Sequence, residues 1–456
     1  MADKKTRLDS EIARYVVKKN RMTKGLSLTD IDHRFPSSTA SLIEKGEAVK
    51  DETFKLYLEA LGITKKELKK EVGEVEEITT ELRFKLKQVE RMIDNGYIEI
   101  AKAELEKYQV EDFHPLAPHK YHLDGVIIQK DKSVETRKRY KRAEKVFFHA
   151  IQTCTQHNLN PDDNIIPTCY NRLAASRYFL NDLETAIDFI NQGLEAYDET
   201  KDCSQLNNKY NLLANKMMYL WELSQYPQAT SILYEVWPQR SKIDKNNNAL
   251  LDFYKFRSIA LRNQKNVQAA LECCSEGIII ATNIRSDNRY LDLMIILGSI
   301  HLVEGDFTKA LDRFMLVLNA DGKREYPRRH IDAYTYLGIL FNAKKDWLLA
   351  TEYLEKAIIT AQEIQDPFRL GKALITRGNV LLFQEQYTEA LPYYREAESI
   401  LESKNYKNRQ LSALLKMIYC FDKMGTTDEF VQCLIKKYKL EDELSIKSEV
   451  EIYEVF

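Results

Sequence analysis

Small and apolar residues return with a period close to 40 between residues 166 and 430. A small residue stands at Ala174, Ser258, Gly298, Gly338 and Gly378. Twelve residues after each comes an alanine: Ala186, Ala270, Ala310, Ala350 and Ala390. Four further on lie Ile190, Cys274, Phe314, Leu354 and Tyr394, and three beyond those Gly193, Gly277, Val317, Ala357 and Ala397. A less regular unit between the first two has Met217 in the small position but keeps Ala229 and Leu233. This spacing predicts helical hairpins. The small residues let two antiparallel helices cross closely, and the larger ones fill the space towards the next hairpin. A single hairpin cannot bury its surfaces alone, so such units stack into a solenoid. Weaker units lie at 82–108, with Gly96, Tyr97 and Ala101, and at 120–151, with Gly125, Ala143 and Phe147. The last unit, 410–437, has lost the small residues and reads as a cap. Eight or nine hairpins are expected over 82–456.

The first 70 residues follow a different pattern. Leu8, Ile12, Tyr15 and Val16 recur at helical spacing. Ser27 with Asp30 three residues on has the form of a helix start. Pro36 opens Ser37 to Gly46, with proline suited to a helix start and glycine to its end. Phe54, Leu58 and Leu61 mark another amphipathic turn, and Thr64 with Glu67 begins one more. Five short helices are therefore expected in 1–70, followed by a short acidic linker, 71–81.

Composition narrows the class. The 456 residues include only 15 glycines and 10 prolines, against typical usage of roughly 7% and 5%. A sandwich, barrel or doubly wound sheet needs more turn residues than that, so the chain is expected to be all-α. The longest strongly apolar run, Leu293 to Val303, is too short to span a bilayer. The beginning of the chain leads into no apolar core of the kind a secretory signal needs. Seven cysteines without a C-x-x-C pair read as reduced cytoplasmic thiols. The net charge of −2 averages a head of +5 (residues 1–70) with a body of −7. A basic head suits phosphate backbones, and a solvated helical surface is the plainer reading. No G-x-G-x-x-G or G-x-x-x-x-G-K-[ST] motif is present, so no phosphate cradle is expected. His114, His119 and His122 lie among Pro115 and Pro118 and read as the surface entrance to a helix, not a metal site. No cofactor and no catalytic residues are expected.

Two stretches resemble known families. Leu297-Gly298 with Ala310 and Phe314, and Leu337-Gly338 with Ala350 and Ala357, resemble the tetratricopeptide repeat, although that repeat is about 34 residues long. The resemblance implies a right-handed α-solenoid. Ser38-Thr39-Ala40-Ser41-Leu42-Ile43-Glu44-Lys45-Gly46 resembles the recognition-helix segment of the phage-repressor (XRE-type) helix-turn-helix, and Leu61 to Thr64 resembles its usual ending. In that class the second motif helix lies in the major groove. By resemblance, Ser37, Ser38 and Leu42 point towards bases, and Thr39 and Ser41 towards phosphates or the groove wall. Arg21, Lys24, Arg34 and Lys45 become phosphate contacts. A helical cap that docks protein is the structural alternative. The two parts in this order resemble the RRNPP family of bacterial peptide-sensing regulators (Rgg, Rap, NprR, PlcR and PrgX). This implies a DNA operator, a short signalling peptide in the repeat groove and a homodimer, with no membrane partner. The rivals are a tetratricopeptide interaction scaffold and a Rap-like modulator of a signalling protein, neither binding DNA.

In a tetratricopeptide hairpin the first helix lines the groove. Its groove positions here hold Asn171, Tyr178, Asn211, Trp221, Asp252, Lys255, Arg262, Asp292, Asp332, Thr335, Asn342 and Asn379. Asparagine bonds both donor and acceptor of an extended backbone, so Asn171, Asn211, Asn342 and Asn379 are candidate peptide clamps. Asp252, Asp292 and Asp332 recur 40 apart. They are expected either to hold a basic group of the peptide or to cap the hairpins' first helices.

Overall fold

The computed structural model describes residues 5–31, 33–34, 36–161, 163–201, 207–320 and 326–444. Twenty-one α-helices dominate the described residues, with a two-residue strand pair, β1 (Lys5–Thr6) against β2 (Val49–Lys50), antiparallel. The chain divides into two compact units, residues 1–180 with 188–204 and residues 181–187 with 205–456.

The first unit begins with α1 (Glu11–Thr23), α2 (Ser37–Glu44) and α3 (Asp51–Ala60). Tyr15, Val16, Val17, Ile43, Phe54, Tyr57 and Leu58 close a small core between them. The helix expected from Ser27 does not form among the described residues, where 27–31 and 33–34 are bends and turns. Ser27 and Thr29 instead turn their hydroxyls onto the Asp30 carboxylate. Short polar side chains that satisfy one another compete with the helical backbone. Thr64 and Glu67 form a reciprocal cap, but the helix it starts, α4 (Lys65–Asp94), runs for 30 residues. Residues 71–81, read as a linker, are the middle of that helix. No proline interrupts it, and Gly73 alone offers a weak point. Then follow α5 (Ile98–Leu105), α6 (Ala117–Lys130), α7 (Thr136–His157) and α8 (Ile165–Phe179). The residue run continues through α9 (Leu183–Glu195).

The second unit holds six regular helix pairs. They are α10 (Asn207–Glu222) with α11 (Tyr226–Val236), α12 (Asn248–Asn263) with α13 (Val267–Asn283), and α14 (Asp287–Glu304) with α15 (Phe307–Asn319). After them come α16 (Pro327–Ala343) with α17 (Trp347–Glu363), α18 (Pro367–Leu382) with α19 (Tyr387–Ser403), and α20 (Lys407–Met424) with α21 (Thr427–Glu443). The recurrent small residue meets the recurrent large one inside the α14–α15, α16–α17 and α18–α19 hairpins. A Cβ on Gly298 would stand 2.6 Å from the Phe314 ring, and one on Gly378 would stand 2.6 Å from that of Tyr394. Phe314 also stacks on Tyr336 of the next pair, with ring centroids 5.4 Å apart. One aromatic side chain thus closes its own hairpin and seals it to its neighbour.

Gly298→Ala is expected to cost about 1–3 kcal/mol, because the fully buried Phe314 ring must yield to the new methyl group. Gly73→Ala, on a helix with nothing within 4 Å of the added carbon, is expected to be neutral or to stabilise by up to about 1 kcal/mol. Calorimetric melting of the two variants separates them.

Candidate functional site

Helices α10, α12, α14, α16, α18 and α20 touch one another in succession, and each second helix before α21 packs between two first helices. The first helices therefore form the inner layer of the second unit. Their stacking has a fixed stagger. A side chain on one first helix meets a partner 37 residues on, one helical turn short of the 40-residue repeat.

That stagger decides what the aspartate row does. Arg289 Nη2 donates to Asp252 Oδ2 at 2.8 Å, Arg329 Nη2 to Asp292 Oδ2 at 3.0 Å, and Arg369 Nε to Asp332 Oδ2 at 3.1 Å. Arg329 Nε also lies 3.0 Å from Asp292 Oδ1, and Lys255 lies 3.6 Å from Asp252 Oδ1. Neither expectation for Asp252, Asp292 and Asp332 describes this ladder. Their carboxylates are engaged by arginines of the following repeat and do not stand open. They also do not cap, because the residues before α12, α14 and α16 are Asn247, Ser286 and Tyr326, and before α18 it is a different aspartate, Asp366, that caps. Burial opposes the Asp292 charge, but Arg329, Lys255 and Arg289 outweigh it and hold its carboxyl below the usual carboxylate range. The cap Asp366 accepts from Arg369 N at 3.0 Å and lies 3.0 Å from Arg328 Nε. Arg369 in turn comes within 3.9 Å of Glu222 on α10.

Arg262 is buried on α12. Its Nη1 donates to Ser299 Oγ at 2.6 Å and reaches Tyr336 Oη at 3.5 Å. Lys372 Nζ sits 4.5 Å from the centroid of the same Tyr336 ring. Burial would raise the Tyr336 phenol, but the Lys372 and Arg262 charges overcome it and bring the phenol down to about 8. Thr335 is buried, with its hydroxyl turned back to Ile331 O.

Of the asparagines, Asn379 is buried and accepts the Tyr394 hydroxyl at 2.8 Å. It supports its own hairpin, so its carbonyl does not face the groove as a clamp. Asn342 keeps a buried Oδ1 with no hydrogen-bond partner, and Asn211 is half-buried. Trp221 packs on Tyr226 and Phe256, with ring centroids 5.0 and 5.1 Å away. Asn171 and Tyr178 lie on α8 of the first unit, Asn171 half-buried and Tyr178 buried against Phe179.

The head separates its expected contacts into two groups. Ser37, Ser38 and Leu42 are exposed on α2, Leu42 by 43%. Thr39 and Ser41 are half-buried. Arg34 is exposed, 3.8 Å from Glu59, and Lys45 is exposed. Arg21 is not at the surface. It is buried, with Nε and Nη2 at 2.5 and 3.0 Å from the two Glu44 oxygens, and Tyr57 Oη donates to the same carboxylate at 2.8 Å. It fastens α1 to α2 and α3. Lys24 is exposed but donates to Leu61 O at the end of α3.

Within the first unit the head is bonded to the helices that follow it. Tyr15 Oη donates to Glu111 at 3.0 Å, and Lys18 Nζ meets His157 Nδ1 at 3.1 Å. Asn158 Nδ2 donates to Lys45 O at 2.7 Å. A cavity of about 230 Å³ lies along this seam, lined in part by Arg14, Lys18, Ser41, Phe113 and His157. The histidines expected at a surface are also internal. His114 is buried, its Nδ1 accepts from Leu116 N at 3.1 Å, and burial lowers it to about 4. His119 pairs with Asp163, and His122 is buried near Phe147. Among the described residues, no group of three His, Cys, Asp or Glu side chains is placed to hold a metal ion. Nor is any of their helices long and apolar enough to cross a membrane.

The tetratricopeptide repeat family model matches residues 330–403. Among solved structures, a Rap protein complexed with competence and sporulation factor superposes with a TM-score of 0.58. It is 13% identical and covers 80% of this chain and 99% of its own. The fold is a tetratricopeptide-repeat solenoid. The quorum sensor NprR from B. thuringiensis, in its apo form, gives a TM-score of 0.51 at 17% identity, covering 73% of this chain and 94% of its own. A DnaJ homolog subfamily C member 7 homolog of Dictyostelium discoideum is 22% identical over 284 residues, 58% of this chain and 48% of that protein. The chain thus spans about half the length of this curated relative. These likenesses concern the solenoid, and the groove chemistry rests on the geometry above.

Four arginines of the solenoid, Arg289, Arg329, Arg369 and Arg409, also recur 40 apart. That signal was present in the sequence, but lies just before the groove positions of a single hairpin. Asp292→Asn is expected to destabilise the solenoid by about 2 kcal/mol, because the two-point bond to Arg329 is lost. A depressed carboxyl stabilises at pH above the ordinary carboxylate range, and that contribution disappears as pH falls through the folded-state value. Wild type should therefore lose more stability than Asp292→Asn between neutral and acid pH, as read by denaturant unfolding. Near-ultraviolet titration should show one phenol ionising near pH 8 that is absent in Tyr336→Phe.

Proposed function

We propose that this chain is a cytoplasmic, non-enzymatic, peptide-responsive regulator. The solenoid groove binds a short linear signalling peptide, and the head, 1–70, binds an operator in duplex DNA. Peptide occupancy shifts the solenoid between conformations of different DNA affinity. The observation that carries the reading is the polar inner face of the second unit. Charged side chains are held there in fixed rows, buried or half-buried and supplied with partners, as a groove for an extended polar backbone requires. The Rap structure, complexed with competence and sporulation factor, and the quorum sensor NprR add support through the shared fold. On the DNA side, Ser37, Ser38 and Leu42 form an exposed face on a short helix of a basic head. A homodimer would present two such helices to two half-sites.

A second reading has its own observation. The first motif helix is replaced by turns among the described residues, and Arg21 is spent inside the head. Both favour a head that docks protein, as in an interaction scaffold or a modulator of a signalling protein.

Genomic DNA fragments are captured with the full chain, with and without small peptides encoded beside its gene. The DNA reading expects a discrete fragment set whose retention falls steeply with salt and changes when one peptide is present. Ser38→Asp should abolish that retention. Failure to enrich any fragment, with protein partners captured instead, would establish the docking head.

A further inference from the structure

The rows on the inner face of the second unit contain one break. At 40-residue intervals the acidic row runs Asp252, Asp292, Asp332 and then Lys372, while the arginine row runs Arg289, Arg329, Arg369 and Arg409 throughout. The first three rungs are Asp–Arg pairs. At the fourth, an ammonium group occupies the carboxylate's place. Lys372 is half-buried on α18, its Nζ held 4.5 Å from the Tyr336 ring centroid. Arg262 approaches the same side chain from α12 and reaches the phenol oxygen at 3.5 Å. Asp332 also acts on this phenol, but its carboxylate is bonded to Arg369 at 3.1 Å. Two cations and a hydroxyl donor therefore converge on one spot of the inner layer, supplied by three different first helices.

We propose that Lys372 and Tyr336, backed by the buried Arg262, form a subsite that receives a carboxylate of the bound peptide, an acidic side chain or its C-terminus. The inference rests on the peptide reading above and specifies its chemistry. The Lys372 ammonium can bond the anion directly, whereas the Arg262 guanidinium already donates to Asn263, Ser299 and Tyr336 and adds only its charge. The phenol can donate a second bond. The same Lys372 and Arg262 charges hold its pKa below the ordinary phenol value. The expectation of an acidic groove is thereby reversed. The aspartates are paired within their own rungs, and the residue that takes their place at the fourth is cationic.

Lys372→Asp is the informative variant. It restores the residue type of the three earlier rungs opposite Arg409, so the solenoid should fold with an unchanged or higher melting temperature. The full chain is immobilised and offered two pools of short random peptides. One pool contains Asp and Glu and has free C-termini; the other lacks both residues and is amidated. Wild type should retain the acidic pool roughly tenfold or more over the other, and Lys372→Asp should lose that preference. Bound acidic peptide should also move the Tyr336 phenol upward from about 8. Equal retention of both pools by wild type, or an undiminished preference in Lys372→Asp, overturns the subsite and leaves peptide binding standing. Retention of neither pool overturns both.

Discussion

The organisation of the second unit depends on one stagger. Successive first helices stack so that a side chain meets a partner 37 residues on, although the sequence repeats every 40. The difference is one helical turn. Any residue type that recurs at one place on the hairpin is thereby paired with whatever recurs one turn earlier. An aspartate row without its arginine row would leave three buried or half-buried carboxylates in one row, with a large desolvation penalty and like-charge repulsion. With both rows present, each carboxylate is bonded by the next repeat. The hydrophobic lock of Gly298 under Phe314 closes one hairpin. The charge ladder sets how the next hairpin sits on it.

A regular ladder cancels itself, so specificity arises where regularity fails. Three repeats place aspartate opposite arginine, and the fourth places Lys372 there. The same stagger that neutralises the earlier rungs leaves this one cationic. It also carries Arg262 through Ser299 to Tyr336, because these three residues follow one another at successive 37-residue steps. An inner face built in this way varies its charge without a dedicated loop. One substitution in a repeated position changes the sign of the local potential while the packing beneath stays the same.

This explains which parts were legible in the sequence. The small–alanine–large pattern is a property of a single hairpin, and it placed the helix pairs from 166 onward. The Asp252, Asp292 and Asp332 row was equally visible. Its role was not, because a partner row becomes meaningful only when the stagger between hairpins is known, and no single hairpin encodes that. Asn379 shows the same limit. The repeat pattern places it at a groove position, yet the Tyr394 hydroxyl fifteen residues later bonds its carbonyl. In the head, Ser27 and Asp30 carry a helix-start signature whose polar groups satisfy each other without a helix. Arg21 looked like a surface cation, but it sits opposite Glu44 once α1 and α2 are packed.

The head and the helices after it form one mechanical piece within the first unit, for reasons rooted in α4. A flexible linker would let 1–70 move independently. The 30-residue α4 has no proline to break it, and Val72 and Val75 pack into the head's core. Head and repeats thus share a helix as well as a seam. At the seam, Tyr15 and Lys19 both reach Glu111, and Lys18 reaches His157. These residues lie on the same helix as Arg21, which locks α1 to α2 through Glu44. A displacement of residues 111–114 or of the end of α7 must therefore move α1, and with it the helix that presents Ser37, Ser38 and Leu42. Close-packed elements shift between discrete arrangements more readily than they deform. The seam is for that reason the place in this unit where a change in the repeats can alter the orientation of the head's exposed face.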